Sequence, residues 1–176
     1  PQDYSYRLAT RIADVEALVA SLGLKKVHLV VHDWGGAIGF GFATRHPEMI
    51  GRITILNTAA FVSDRIPGRI AICRARGIGE FLVRAFNAFA WPATWMSMHA
   101  RKLKDDEASG FLFPYDSWVN RIAVHRFVAD IPLEKDHASR ATLEEIEQRL
   151  PLLADKAKLV VWGAWDFCFN DAFLAR

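Results

Sequence analysis

The sequence predicts an α/β fold built on parallel strands, and three observations carry that expectation. Short β-branched runs at residues 26–31, 50–57 and 157–162 have the composition of strands buried in a sheet. Ile12, Val15, Leu18, Val19 and Leu22 recur at helical spacing before the first of them. The order of segments is helix, strand, helix, strand, a long helical insert, helix and strand, which is the alternation of βαβ units.

The first helix is expected over 6–22, with Gly23 where a C-cap glycine stands. The strand at 26–31 leads into His32-Asp33-Trp34-Gly35-Gly36, and a Gly- and Phe-rich helix follows at 37–45, closed by His46-Pro47. From Phe61 to about Ala129 helical, aromatic-rich pieces predominate, broken by Pro67, Gly77, Pro92, Gly110 and Pro114. Thr142 and Glu145 make a capping-box signature for a short charged helix at 142–150. The domain reading is therefore a core at 1–60, a helical cap at 61–140 and a return to the core at 141–176. Such a cap is expected over the C-terminal strand ends, where open α/β sheets carry their sites.

Composition narrows the function. Of 176 residues 52% are hydrophobic, too many for a disordered chain. A formal charge of +2 is no electrostatic footprint for nucleic acid. The best apolar stretch, 81–98, is interrupted by Arg84, so no membrane span is expected. The first seven residues lack the pattern of a signal peptide. Two cysteines, Cys73 and Cys168, build neither a disulfide framework nor a metal site. A cytoplasmic enzyme or binding domain without a metal is what remains.

The stretch 27–36 is the most informative. A nucleophile elbow is a strand, a tight turn and a helix, with the nucleophile at the apex above the sheet and at a helix N-terminus. Asp33 stands at that apex, followed by Gly35 and Gly36, which remove side chains that would collide with the turn. The next backbone N–H would face developing negative charge. A carboxylate in this place implies a covalent ester intermediate. The plainer reading is an N-capping aspartate.

Val31-His32-Asp33-Trp34-Gly35-Gly36, Arg45-His46-Pro47 and Leu56-Asn57-Thr58 resemble the α/β-hydrolase branch of haloalkane dehalogenases and epoxide hydrolases. The resemblance continues through Pro114-Tyr115-Asp116, Arg121, Phe127 and Ile131-Pro132 to Trp162-Gly163 and Asp166. Within the branch, residues 56–61, 114–118, 130–133 and 166–169 are most similar to the β-lactone decarboxylases of bacterial long-chain olefin synthesis. The resemblance implies an α/β-hydrolase fold, with the cap inserted after the strand that follows the elbow helix. It implies no cofactor, a hydrophobic small-molecule substrate, and other enzymes of an olefin-forming assembly as partners.

The roles it implies are Asp33 as nucleophile, Asp166 as triad acid and Trp34 as oxyanion or halide donor. Family members carry the acid after either of two strands; Asn57 occupies the first slot and cannot be the anion, and Asp166 occupies the second. Asp166 also reads as a turn aspartate. All six histidines precede it, whereas elbow enzymes place the histidine after the acid. His28 and His32 lie about 13 Å apart along a strand, too far to share a metal. With His46, His99, His125 and His137 they read as surface or packing residues. Phe81, Phe86, Phe89, Trp91, Trp95 and Met96 form an aromatic stripe, read singly as cap core. Taken together, and with Tyr115 and Trp118, the aromatics suggest the wall of an apolar pocket. Arg65, Arg69, Arg74, Arg76 and Arg84 read as a solvated face or a surface for a partner enzyme.

Three reactions compete. A dehalogenase would displace halide with Asp33 and hydrolyse the ester. An epoxide hydrolase would need cap tyrosines, and the cap has only Tyr115. A β-lactone decarboxylase would open the ring with Asp33 and release CO2 and an olefin. A non-catalytic module of the same fold is the contrasting class. The resemblance implies a catalytic domain truncated at both ends, without the catalytic histidine or the loop supplying the second oxyanion donor. The 176-residue chain as written is accordingly expected to be inactive and marginally folded. A sharp thermal transition of a soluble monomer, or multiple turnovers on a substrate panel, would contradict that expectation.

Overall fold

Apolar spacing and strand alternation produce twelve regular elements in the computed structural model, which describes residues 1–176. In chain order they are α1 (Leu8–Ser21), β1 (Val27–Asp33), α2 (Trp34–Arg45), β2 (Ile50–Thr58), α3 (Gly68–Arg74), α4 (Ile78–Phe86), α5 (Ala90–Met96), α6 (Asp105–Leu112), α7 (Ile122–Ala129), α8 (Arg140–Arg149), β3 (Ala157–Val161) and α9 (Asp171–Leu174). Two compact units result: an α/β unit of Arg7–Asp64 with Pro132–Arg176, and a helical unit of Pro1–Tyr6 with Arg65–Ile131. The sequence places the helical region at 61–140. The structure keeps both flanks of that range in the α/β unit: the Phe61 ring stacks on Phe173, and the Val62 N–H donates to Glu147 at 2.9 Å.

The α/β unit carries a parallel sheet in the order β1-β2-β3. Its core gathers Leu8 and Ile12 from α1, Phe40, Phe42 and Ala43 from α2, Ile50 and Ile53 from β2, and Leu143 and Ile146 from α8. Helix α1 ends in a Schellman motif. The Gly23 N–H donates to the Ala20 carbonyl, the Leu24 N–H donates to the Val19 carbonyl, and Gly23 sits at φ +63°.

β1 and β3 are the two edges of this sheet and are not fully buried. Val27, Leu29 and Val31 of β1 turn toward the core, while Val30 on the other face stays 74% exposed. β3 pairs only with β2, and no helix of the unit covers it, so Leu159, Val160 and Val161 remain exposed. Leu18 and Leu22 are exposed too, because Val15 and Val19 already fill the face of α1 that meets the core. Helix α8 starts at Arg140, ahead of the Thr142–Glu145 signature. Its N-cap residue Ser139 turns its hydroxyl elsewhere, accepting the otherwise unpaired Leu8 N–H at the start of α1 at 3.2 Å. α2 begins at Trp34, directly after the apex, rather than at Ala37.

The helical unit is held by arginines that satisfy helix-end carbonyls. Arg121 donates to the carbonyls of Tyr115, Arg84 and Ala85 at 2.7, 2.8 and 3.1 Å. Arg84 is buried, paired with Glu80 at 2.6 Å and stacked on the Trp118 ring, and Arg74 donates to the Ile131 carbonyl. The reading of these two as solvated surface therefore fails, since their forks are spent inside the unit. The aromatic stripe is not core either. Ile70, Cys73, Val83, Ile122 and Val128 fill that role, and Phe81, Phe86, Trp91 and Trp95 are exposed. No helix of the structure is long and apolar enough to cross a membrane.

Because Gly23 holds a left-handed conformation, Gly23→Ala should cost about 1 kcal/mol of stability. Urea unfolding of the two proteins checks this, and an unchanged midpoint would contradict the role assigned to the motif.

Candidate active site

The end of β1 is a strained turn. Asp33 has φ +50° and ψ −128°, a conformation that a residue with a side chain adopts only when its surroundings impose it. Two contacts impose it here. The Thr58 hydroxyl at the end of β2 donates to the Asp33 carbonyl. Gly36 then passes so close to Thr58 that an added Cβ would overlap the hydroxyl. Gly35 faces open space, so only one of the two glycines is needed for clearance, a correction to the sequence reading.

Asp33 occupies the N-cap position of α2, but its side chain does not make the usual capping bond. Asp33 keeps access to solvent at the apex, yet protein packed around its carboxyl displaces water and pushes its pKa above the ordinary value near 3.8. The Trp34 N–H, first of the helix, opposes this, as does the charge of His32; the negative charge of Asp166 adds to it. The two aspartates therefore lie within electrostatic reach, at the C-terminal ends of β1 and β3.

Asp166 sits in the loop after β3. Its Oδ1 accepts the N–H groups of Cys168 and Phe169 at 2.7 and 2.9 Å, so the turn function is met by one oxygen. Trp34 opens α2 half-buried, and the buried guanidinium of Arg11 stacks on its indole at 4.0 Å. The sequence reading missed Arg11, although a charged residue directly before the apolar position Ile12 was a signal. It read Asn57 only as unable to be the anion, whereas its amide joins the end of β2 to the Asp166 loop.

The other candidates lie in the helical unit. Phe89 and Tyr115 are half-buried, while Trp91, Trp95 and Trp118 are exposed. The rings of Trp91 and Trp95 meet edge to face, and Phe81 approaches both Phe86 and Trp118. Of the histidines, His125 is buried against Glu80, Arg84 and Arg126, and burial lowers its pKa.

An aspartate at a strained strand-to-helix apex, one strand removed from a second aspartate in the loop after β3, matches the arrangement expected of an α/β-hydrolase fold. Residues 1–171 match the alpha/beta hydrolase fold family, and the chain belongs to it. The chain is 42% identical over 98% of its length to a Shewanella oneidensis protein named cis-3-alkyl-4-alkyloxetan-2-one decarboxylase, and 40% identical over 98% to one of the same name from Xanthomonas campestris. It spans 56 and 58% of the length of these relatives. A solved haloalkane dehalogenase of Agrobacterium tumefaciens superposes with a TM-score of 0.82 at 24% identity, covering 98% of this chain and 61% of that one, a likeness of fold.

The Thr58 contact makes position 36 sensitive. Gly36→Ala should cost about 1–3 kcal/mol through overpacking, and Gly35→Ala clearly less. Chemical denaturation of both variants measures the difference, and equal midpoints would contradict the geometry.

Proposed function

We propose that the protein is an enzyme of the cytoplasm that decarboxylates cis-3,4-dialkyl β-lactones to olefins, with Asp33 as its covalent nucleophile. The observation that carries this reading is a carboxylate, rather than a hydroxyl or thiol, on the strained apex before α2. Asp33 opens the four-membered ring by covalent attack. It is released when the adduct collapses to CO2 and an olefin, so no water is consumed overall. The Trp34 N–H and the start of α2 offset negative charge at the apex. Asp166 serves as the acid that orients the histidine required by the family pattern.

Support for the lactone over a haloalkane comes from similarity to the named decarboxylases along 98% of the chain. Phe89, Trp91, Trp95, Tyr115 and Trp118 are the residues proposed to receive the alkyl arms. The exposed rings of Trp91, Trp95 and Trp118 suit an apolar ligand. Other enzymes of an olefin-forming assembly are the proposed protein partners.

Products from a dialkyl β-lactone, a bromoalkane and an epoxide, separated by gas chromatography, test the reading on the intact protein. Olefin from the lactone is the expected result, and halide release without olefin would move the protein to the dehalogenases. Asp33→Asn should abolish turnover with the fold intact. Retained activity, with deamidation excluded by mass spectrometry, would sink the nucleophile assignment.

The pH dependence has a definite sign. Attack needs the ionised carboxylate, and burial keeps the proton on Asp33 to a higher pH than usual. Activity should therefore fall on acidification through a midpoint above 3.8, read from kcat/KM across the acid range. A limb at or below 3.8 would contradict the placement of this carboxyl.

A further inference from the structure

We propose that Asn57, together with Trp162, is a positioning residue that clamps the Asp166 loop to the end of β2, and that the clamp requires a carboxamide at position 57. The proposal rests on the reading of Asp33 and Asp166 as partners in one site.

The loop is gripped at both ends. Asn57 is buried, and its Nδ2 donates to the carbonyls of Gly163 at 3.0 Å and Phe169 at 3.1 Å. Its Oδ1 accepts the Gly163 N–H at 2.8 Å. The indole Nε1 of Trp162 donates to the same Phe169 carbonyl at 2.9 Å. Asp166 lies between Gly163 and Phe169, and its own Oδ1 takes the Cys168 and Phe169 N–H groups. The second carboxylate oxygen carries none of these bonds, so the loop is fixed without spending it.

The chemistry at position 57 is set by this pattern. Two carbonyl acceptors meet the nitrogen and one donor meets the oxygen, so the amide has one satisfactory orientation. Aspartate is the same size but would turn one carboxylate oxygen, in place of the amide nitrogen, toward both carbonyls. Alanine would leave the Gly163 N–H without this acceptor, the Phe169 carbonyl with only the Trp162 indole and the Gly163 carbonyl with only the Asp166 N–H. Position 57 is one of the two slots in which the family pattern admits the acid. In this chain the slot instead holds the group that fixes the loop bearing the acid at the other slot.

The test uses the intact protein and the variants Asn57→Ala, Asn57→Asp, Asp166→Asn, Asn57→Asp/Asp166→Asn and Trp162→Phe. Misplacement of an orienting group by about 1 Å costs on the order of 10²-fold. Asn57→Ala should therefore lose about 10²-fold in kcat with KM nearly unchanged. Because Asp166 raises the Asp33 pKa, release of the loop should also move the acid limb of the pH profile downward. A merely structural loss would leave that limb in place. Amide hydrogen exchange at 163–169 should quicken. Trp162→Phe, which removes only one bond, should give the same signs at smaller amplitude, and it serves as the measurement if Asn57→Ala does not fold.

Near-normal kcat with a protected loop in Asn57→Ala, or unchanged exchange and pH profile in Trp162→Phe, would overturn the clamp. So would higher activity in Asn57→Asp/Asp166→Asn than in Asp166→Asn alone, because the slot would then be serving as the acid position. If the wild-type protein turns over none of the three substrates, the functional reading fails while hydrogen exchange at 163–169 still decides the clamp.

Discussion

The C-terminal end of β2 ties the turn after β1 to the loop after β3. Thr58 reaches sideways to β1, donating to the carbonyl of the strained apex and closing the space above Gly36. Asn57, the residue before it, engages the loop that follows β3. Strands in a sheet stand about 4.8 Å apart, so one intervening strand keeps two flanking loops within electrostatic range without letting them touch.

The elbow shows how strain is balanced. A side-chain-bearing residue at positive φ costs roughly 1–3 kcal/mol, and the surrounding contacts must hold it. The core beneath does much of that work. α2 lies close enough to α1 that a Cβ on Gly41 would strike Ile12, and Phe42 and Ala43 are fully enclosed. With α2 anchored from below, its first residue has little freedom, and the turn before it inherits the constraint. The apex keeps solvent access while its carboxyl is partly desolvated, a combination that suits a nucleophile able to meet a ligand.

Much of this was legible in the sequence because it depended on local pattern. The β-branched runs announced the strands, the apolar spacing announced α1, and Gly23 marked its end. Asp33 could be singled out because it stands at a strand-to-helix turn, and Asp166 because the family resemblance implies an acid after β3. What escaped were contacts between distant residues. Asn57 could be seen only as failing to be an acid, since its partners lie 106 and 112 residues away. Arg84 looked like a surface charge because the Trp118 ring and carbonyl that receive it are remote in sequence. The exposure of Val30 and of β3 depends on which faces the neighbouring elements cover, and periodicity within a strand carries no such information.

The central claim is that Asp33 forms a covalent bond to the substrate. Mass spectrometry of the intact protein, acid-quenched during turnover of a dialkyl β-lactone and then digested, addresses it most directly. The account predicts a substrate-derived adduct on the peptide carrying Asp33, at the carboxyl of that residue. An adduct confined to another residue would contradict it, as would sustained olefin production by a protein in which Asp33 has been replaced.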